Sequence, residues 1–78
     1  MLSVEFKKTY NSLLQREEKG RMLIDNPKTS EKKREHYLFG VNGYMDICKK
    51  LSAMMNEYKQ ITGQEMDTET ALGGFKEV

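Results

Sequence analysis

The chain has no tryptophan and only one cysteine, one histidine and one proline in 78 residues. A lone Cys48 excludes an intramolecular disulfide, and a lone His36 beside it leaves no basis for a protein-only zinc site. Thirteen Lys and Arg stand against twelve Asp and Glu, for a net charge of +1. No excess of one sign therefore draws the whole chain to nucleic acid or to an anionic membrane. No apolar run approaches the roughly 18 residues of a membrane span, and the first residues carry no secretory h-region. A cytoplasmic protein is expected. Gly-rich phosphate loops, HExxH, CxxC and Ser-centred elbows are all missing, so no catalysis, metal or cofactor is expected.

What remains is 37% apolar and 32% charged. That is enough for one small domain, with little surplus for an enclosed active-site cavity. Turn formers and helix caps concentrate in Asp25-Asn26-Pro27-Lys28-Thr29-Ser30, the clearest break in the first sixty residues. Before it, Ser3 can cap a helix with Glu5 in its first turn. Phe6, Tyr10, Leu13 and Leu14 follow at helical spacing, and Leu23 and Ile24 resume after a polar stretch, giving a helix over about 3–25. After it, Thr29 or Ser30 caps a second helix. Tyr37, Val41, Tyr44, Cys48, Leu51, Met55, Tyr58 and Thr62 alternate in steps of four and three, which is a heptad seam. Gly40, Ile47, Met54 and Ile61 form a second row beside it. Gly40 and Gly43 weaken a helix interior and Asn42-Gly43 invites a tight turn, so two helices, about 30–40 and 44–62, are the rival parse. The apolar phase 37–41–44–48 survives the glycines, and one continuous helix over about 30–62 is expected. Gly63 ends it.

The expected fold is therefore all-α: an antiparallel helical hairpin over residues 1–63 with a turn at 26–29 and a longer second helix. The tail, 64–78, is either flexible or docks through Leu72 and Phe75. Asp67-Thr68-Glu69 can start a short helix through Leu72. In such a hairpin Leu13 faces Val41 or Tyr44, Phe6 faces Cys48 or Leu51, and the second helix overhangs the first. Tyr44, Ile47, Leu51, Met54, Met55, Tyr58 and Ile61 then form an apolar stripe wider than one neighbouring helix can cover. A second copy pairing there into a helical bundle, a dimer first of all, is the expected cover; the tail folding back through Leu72 and Phe75, or a different protein, are the alternatives.

Candidate chemistry is sparse. Cys48 lies on the apolar seam, where a thiol acts as a small hydrophobe. His36 sits among cations in Lys32-Lys33-Arg34-Glu35-His36, as a solvated helix residue does. Lys28, Lys32, Lys33 and Arg34 cluster at the bend and oppose the dipole of the second helix, a weak pointer to an anionic partner. Glu17 falls on the inward phase of the first helix. Either that helix turns it to solvent or a phenol from Tyr37 or Tyr44 satisfies it, and Glu17 with Tyr37 would then bound a small ligand notch.

Small helical-hairpin phosphatases acting on the aspartyl phosphates of sporulation response regulators have this size and expected shape. Their Ser-Gln-Glu-Leu-Asp signature has no counterpart here. The nearest acid is Asp46 in Tyr44-Met45-Asp46-Ile47, and their activity is not carried over. The expected function is a non-enzymatic protein-interaction module that binds or inhibits a larger protein, a profile common among accessory proteins of phages and mobile elements. The alternatives are nucleic-acid binding through the basic bend and sequestration of a small ligand in an oligomer.

Overall fold

A computed structural model describes residues 2–40 and 42–78. Among these the chain is all-α: α1 (Val4–Asp25), α2 (Glu31–Phe39), α3 (Tyr44–Thr62) and a short α4 (Thr68–Gly73). The Ser3 side chain caps α1 by accepting from the Phe6 N–H at 3.1 Å, and Ser30 caps α2 by accepting from the Lys33 N–H at 3.3 Å. Asp67 does the same for α4. Each cap satisfies a backbone donor that has no partner inside its own helix.

The turn between α1 and α2 is held from both sides. Asn26 Oδ1 accepts from the Lys28 N–H at 2.9 Å, a local side-chain turn. The Thr29 hydroxyl donates to Leu23 O at 2.6 Å, and Arg34 Nε donates to Ile24 O at 3.0 Å. These bonds supply partners to carbonyls in the last turn of α1, which carries no basic residue of its own.

The expected continuous helix over 30–62 is instead two helices. Gly40 ends α2, Asn42 adopts the left-handed conformation at φ 58°, and Gly43 caps α3 in an extended conformation. Asparagine tolerates φ > 0 better than other side chains, and a Cβ at Gly43 would lie 2.8 Å from the Gly40 and Tyr37 carbonyl oxygens. The close packing of α2 against the start of α3 therefore depends on glycine there. Val41, which the seam counts among its positions, lies outside the described residues.

Breaking the helix resets its register. The Tyr44 ring packs on Gly20, where an added Cβ would come within 3.2 Å of Tyr44 Cδ2, and the Tyr44 hydroxyl reaches Glu17. Tyr44 thus meets α1 beyond the expected Leu13. From that point α3 runs back along α1, and at 1.5 Å per residue the two helices span roughly 28 and 33 Å. The expected overhang disappears.

The core is Tyr10 and Leu13 of α1, Ile47 and Leu51 of α3, and Phe75 of the tail. Phe6, Leu14, Met54, Met55, Tyr58 and Met66 pack around it, half-buried. Phe75 stands edge-on to Tyr10 with ring centroids 5.5 Å apart and lies 6.1 Å from Tyr58. The tail therefore docks. It does so through Phe75 and not through Leu72, which is 78% exposed.

Candidate functional site

Of the concave surfaces between these elements, three hold the residues singled out above or the largest exposed side chains. A cleft of about 270 Å³ between α1, α2 and α3 has Gly20, Leu23, His36, Tyr37 and Tyr44 in its wall, with Arg16 and Lys19 at its edge. A groove of about 430 Å³ between α1, α3 and α4 is lined by Leu14, Cys48, Leu51, Met55 and Leu72, with Glu17 and Arg21 beside it. The third, about 360 Å³, lies at the corner where α2 gives way to α3. Leu38, Phe39 and Met45 supply its apolar wall and Asp46 and Lys49 its charged rim.

Glu17 is a half-buried carboxylate at the edge of the core. Its side chain is 19% exposed, and Tyr44 Oη donates to Glu17 Oε1 at 3.0 Å. Arg21, one turn on, brings Nη1 to 3.8 Å from the same oxygen. Sequence reasoning places either Tyr37 or Tyr44 against Glu17, and the reset register selects Tyr44. Burial, then the bond to the Glu17 carboxylate and its charge, push the Tyr44 phenol up to about 12. Burial alone raises the Tyr10 phenol.

A tyrosine whose pKa is raised on folding contributes stability that is intact below the unfolded value near 10 and is lost as pH climbs through the folded value. The contribution of these two tyrosines to stability is therefore expected to be level up to about pH 10 and to fall between there and about pH 12 as they ionise. Phenolate absorbance across an alkaline titration should show late-ionising groups, and Tyr44→Phe should remove the latest of them. An unchanged late component in that variant would remove the Glu17–Tyr44 bond from the description.

The expected notch between Glu17 and Tyr37 is not assembled. Tyr37 lines the cleft beside His36, whereas Glu17 lies beside the α1–α3–α4 groove. Of the stripe expected to face a partner, Ile47 and Leu51 are buried in the intrachain core. Tyr44, Met54, Met55 and Tyr58 are half-buried, and Ile61 alone is largely exposed. The rows that looked too wide for one neighbour are covered by α1 and by the tail together.

The four basic residues of the bend divide in the same way. Lys28, Lys32 and Lys33 are exposed. Arg34 is half-buried and its guanidinium is committed to the Ile24 and Thr29 carbonyls. Arg34 thus staples the turn and offers little to an external phosphate.

The two side chains weighed for chemistry are not brought together. Cys48 borders the groove and His36 the cleft, on different sides of the domain. Among the described residues no group of three or more His, Cys, Asp or Glu is placed to hold a metal ion, and no helix is long and apolar enough to cross a membrane. No protein family matches the chain, and neither a curated protein nor a solved structure is significantly similar to it.

The apolar corner is the feature that sequence reasoning missed. Phe39 is 73% exposed and Met45 is 44% exposed, and both line one groove. The available signal was the Leu38-Phe39 pair immediately before Gly40: if the helix stops there, the second of two adjacent large residues projects from its last turn.

Proposed function

We propose that the chain is a non-enzymatic helical interaction module whose partner at the α2–α3 corner is a second copy of itself. The exposure of Phe39 carries this reading. A phenylalanine ring left largely in water forgoes on the order of 1.5–3 kcal/mol that burial would return, and here it lies beside Met45 and half-buried Leu38 in one concave patch. Clustered apolar exposure of this kind marks contact surfaces more often than scattered single residues do.

The rim supports a copy of the same chain as the occupant. Asp46 and Lys49 flank the patch with opposite charges. Asp46 pairs with Lys50 at 3.5 Å within the chain; in a two-fold pairing centred on Phe39 it would also meet Lys49 of the second copy, the self-complementary pattern of an isologous interface. Nucleic-acid binding at the bend is the weaker reading, because Arg34 is engaged within the fold.

Light-scattering mass over a concentration series tests the proposal. The parent chain should reach twice its 9.1 kDa, and Phe39→Glu should hold the mass at that of one chain with helicity unchanged, since the replaced ring makes little of the core. A parent that stays monomeric at every concentration, or a Phe39→Glu variant that still dimerises, would overturn it.

A further inference from the structure

Independently of that corner, the last residues of the chain are bound to α1 and α3 in the manner of a peptide ligand. The Asn11 side chain grips the backbone of Phe75 from both sides: Nδ2 donates to Phe75 O at 2.9 Å, and Oδ1 accepts from the Phe75 N–H at 2.7 Å. This paired bond reads the main chain of the bound segment, as an edge strand does in strand-addition recognition, and leaves selectivity to side-chain pockets.

Three features supply that selectivity. Phe75 fills an aromatic pocket, edge-on to Phe6 and Tyr10 at 6.3 and 5.5 Å between centroids and beside Tyr58. Gly74 precedes it at φ 84°, and a Cβ there would lie 2.5 Å from Asn11 Oδ1 and 3.1 Å from Asn11 Cγ, so the position accepts glycine alone. Two residues beyond the ring, Glu77 pairs with Lys7, whose ammonium also stands 5.9 Å over the Phe75 ring.

The segment that fills this groove is lightly held. α4 buries no residue of its own, and in 64–78 only Gly74 and Phe75 are buried. Besides the Asn11 pair, its long-range hydrogen bonds are Tyr10 Oη to Ala71 O at 2.9 Å and the Lys7–Glu77 contact. It connects to α3 through Gly63, at φ 75° with nothing within 4 Å of its would-be Cβ, and through exposed Gln64 and Glu65. Elements with so few buried groups open well before the whole domain does.

We infer that the Phe6–Tyr10–Asn11–Tyr58 groove is a receptor for peptide segments of the pattern Gly-Phe followed two residues later by an acid, and that residues 68–78 occupy it in cis as a displaceable latch. A competing segment with the same pattern takes the place of the latch. The effective concentration of the tethered segment sets how strongly that competitor must bind.

The test uses full-length Gly74→Ala, which expels the latch and leaves every groove residue in place. A fluorescent peptide of sequence Met66–Val78 should bind this variant at least about tenfold more tightly than the parent, whose groove is filled. The same peptide carrying Phe75→Ala should not bind. By hydrogen exchange, the Phe75 N–H should be protected in the parent and unprotected in Gly74→Ala, with α1 and α3 amides protected in both.

Full-length Phe75→Ala serves as the second open variant if Gly74→Ala fails to fold. Four results would each overturn the inference. One is peptide binding to neither folded variant, and another is binding of the Phe75→Ala peptide as tight as that of the native one. The others are a Phe75 N–H still protected in Gly74→Ala, and loss of helicity in both variants, which would make the segment an indispensable part of the core.

Discussion

Tyr10→Ala is expected to abolish most cooperative folding at physiological temperature. Among the described residues Tyr10 is the one large side chain with no exposed surface, and it joins three parts of the fold. Its ring lies against the other core residues from α1 and α3, it packs edge-on to Phe75, and its hydroxyl donates to Ala71 O. Truncating a buried aromatic costs about 3–5 kcal/mol. At ~0.05–0.15 kcal/mol per residue, a chain of this length has roughly 4–12 kcal/mol in total. The variant should therefore show a urea midpoint near zero or no cooperative transition. Tyr10→Phe keeps the ring and removes only the bond to Ala71 O, a loss of about 1 kcal/mol, so its transition should stay cooperative at a slightly lower midpoint. A Tyr10→Ala midpoint equal to that of the parent would contradict the placement of this residue at the centre of the core.

The second large effect is expected at Gly43. A Cβ there would meet the Gly40 and Tyr37 carbonyl oxygens at 2.8 Å and the Leu38 oxygen at 2.9 Å. All three belong to the backbone at the end of α2, where no side-chain rotation can relieve the contact. Overpacking of this kind costs about 1–3 kcal/mol, and relief requires α2 to move off the start of α3. That movement disturbs the junction from which Tyr44 reaches Glu17. Gly43→Ala should thus lower the thermal midpoint and return the Tyr44 phenol toward its ordinary value near 10. Gly63→Ala is the contrast, since its would-be Cβ has nothing within 4 Å and only its φ of 75° is strained. It should cost about 1 kcal/mol and leave Tyr44 untouched. Equal effects at the two glycines would show that crowding at the α2–α3 junction is not what fixes Gly43.

Local chemistry explains which parts of this fold were legible in the sequence. Ser3, Ser30 and Asp67 announce the helices they cap, because a cap and its helix are separated by only a few residues. Pro27 and its neighbours mark the first turn for the same reason. Gly40 and Gly43 flag the break, but a coincidence of length favours continuity. The break consumes close to the 3.6 residues of one helical turn, so the apolar phase resumes on the far side unshifted, and periodicity alone cannot distinguish the turn from helix. Everything that depended on continuity moved with it: the facing of Leu13, the overhang, and the Glu17–Tyr37 notch.

That Phe75 could dock was legible in the sequence, but its seat on Asn11 and the apolar corner were not, for different reasons. Asn11 is polar and in α1, which reads as a solvated position. Its partner Phe75 is 64 residues away, and no local pattern encodes so distant a pairing. Phe39 reads as one more apolar residue of a long helix until the helix stops beside it. The all-α class survived these errors because it rests on the summed period of many residues and not on any one contact.

The Lys7–Glu77 pair brings the first turn of α1 and the last residues of the chain to one place. Gly20, where α3 begins its return, lies about 20 Å further along α1 at 1.5 Å per residue. The molecule is 43 Å long and 19 Å across, so that level lies near the middle of a short rod, and the two ends of the chain sit together to one side of it. A dye, an affinity tag or a second domain grafted onto either end therefore starts from the same place, about 20 Å along the rod from the level at which Tyr44 meets α1.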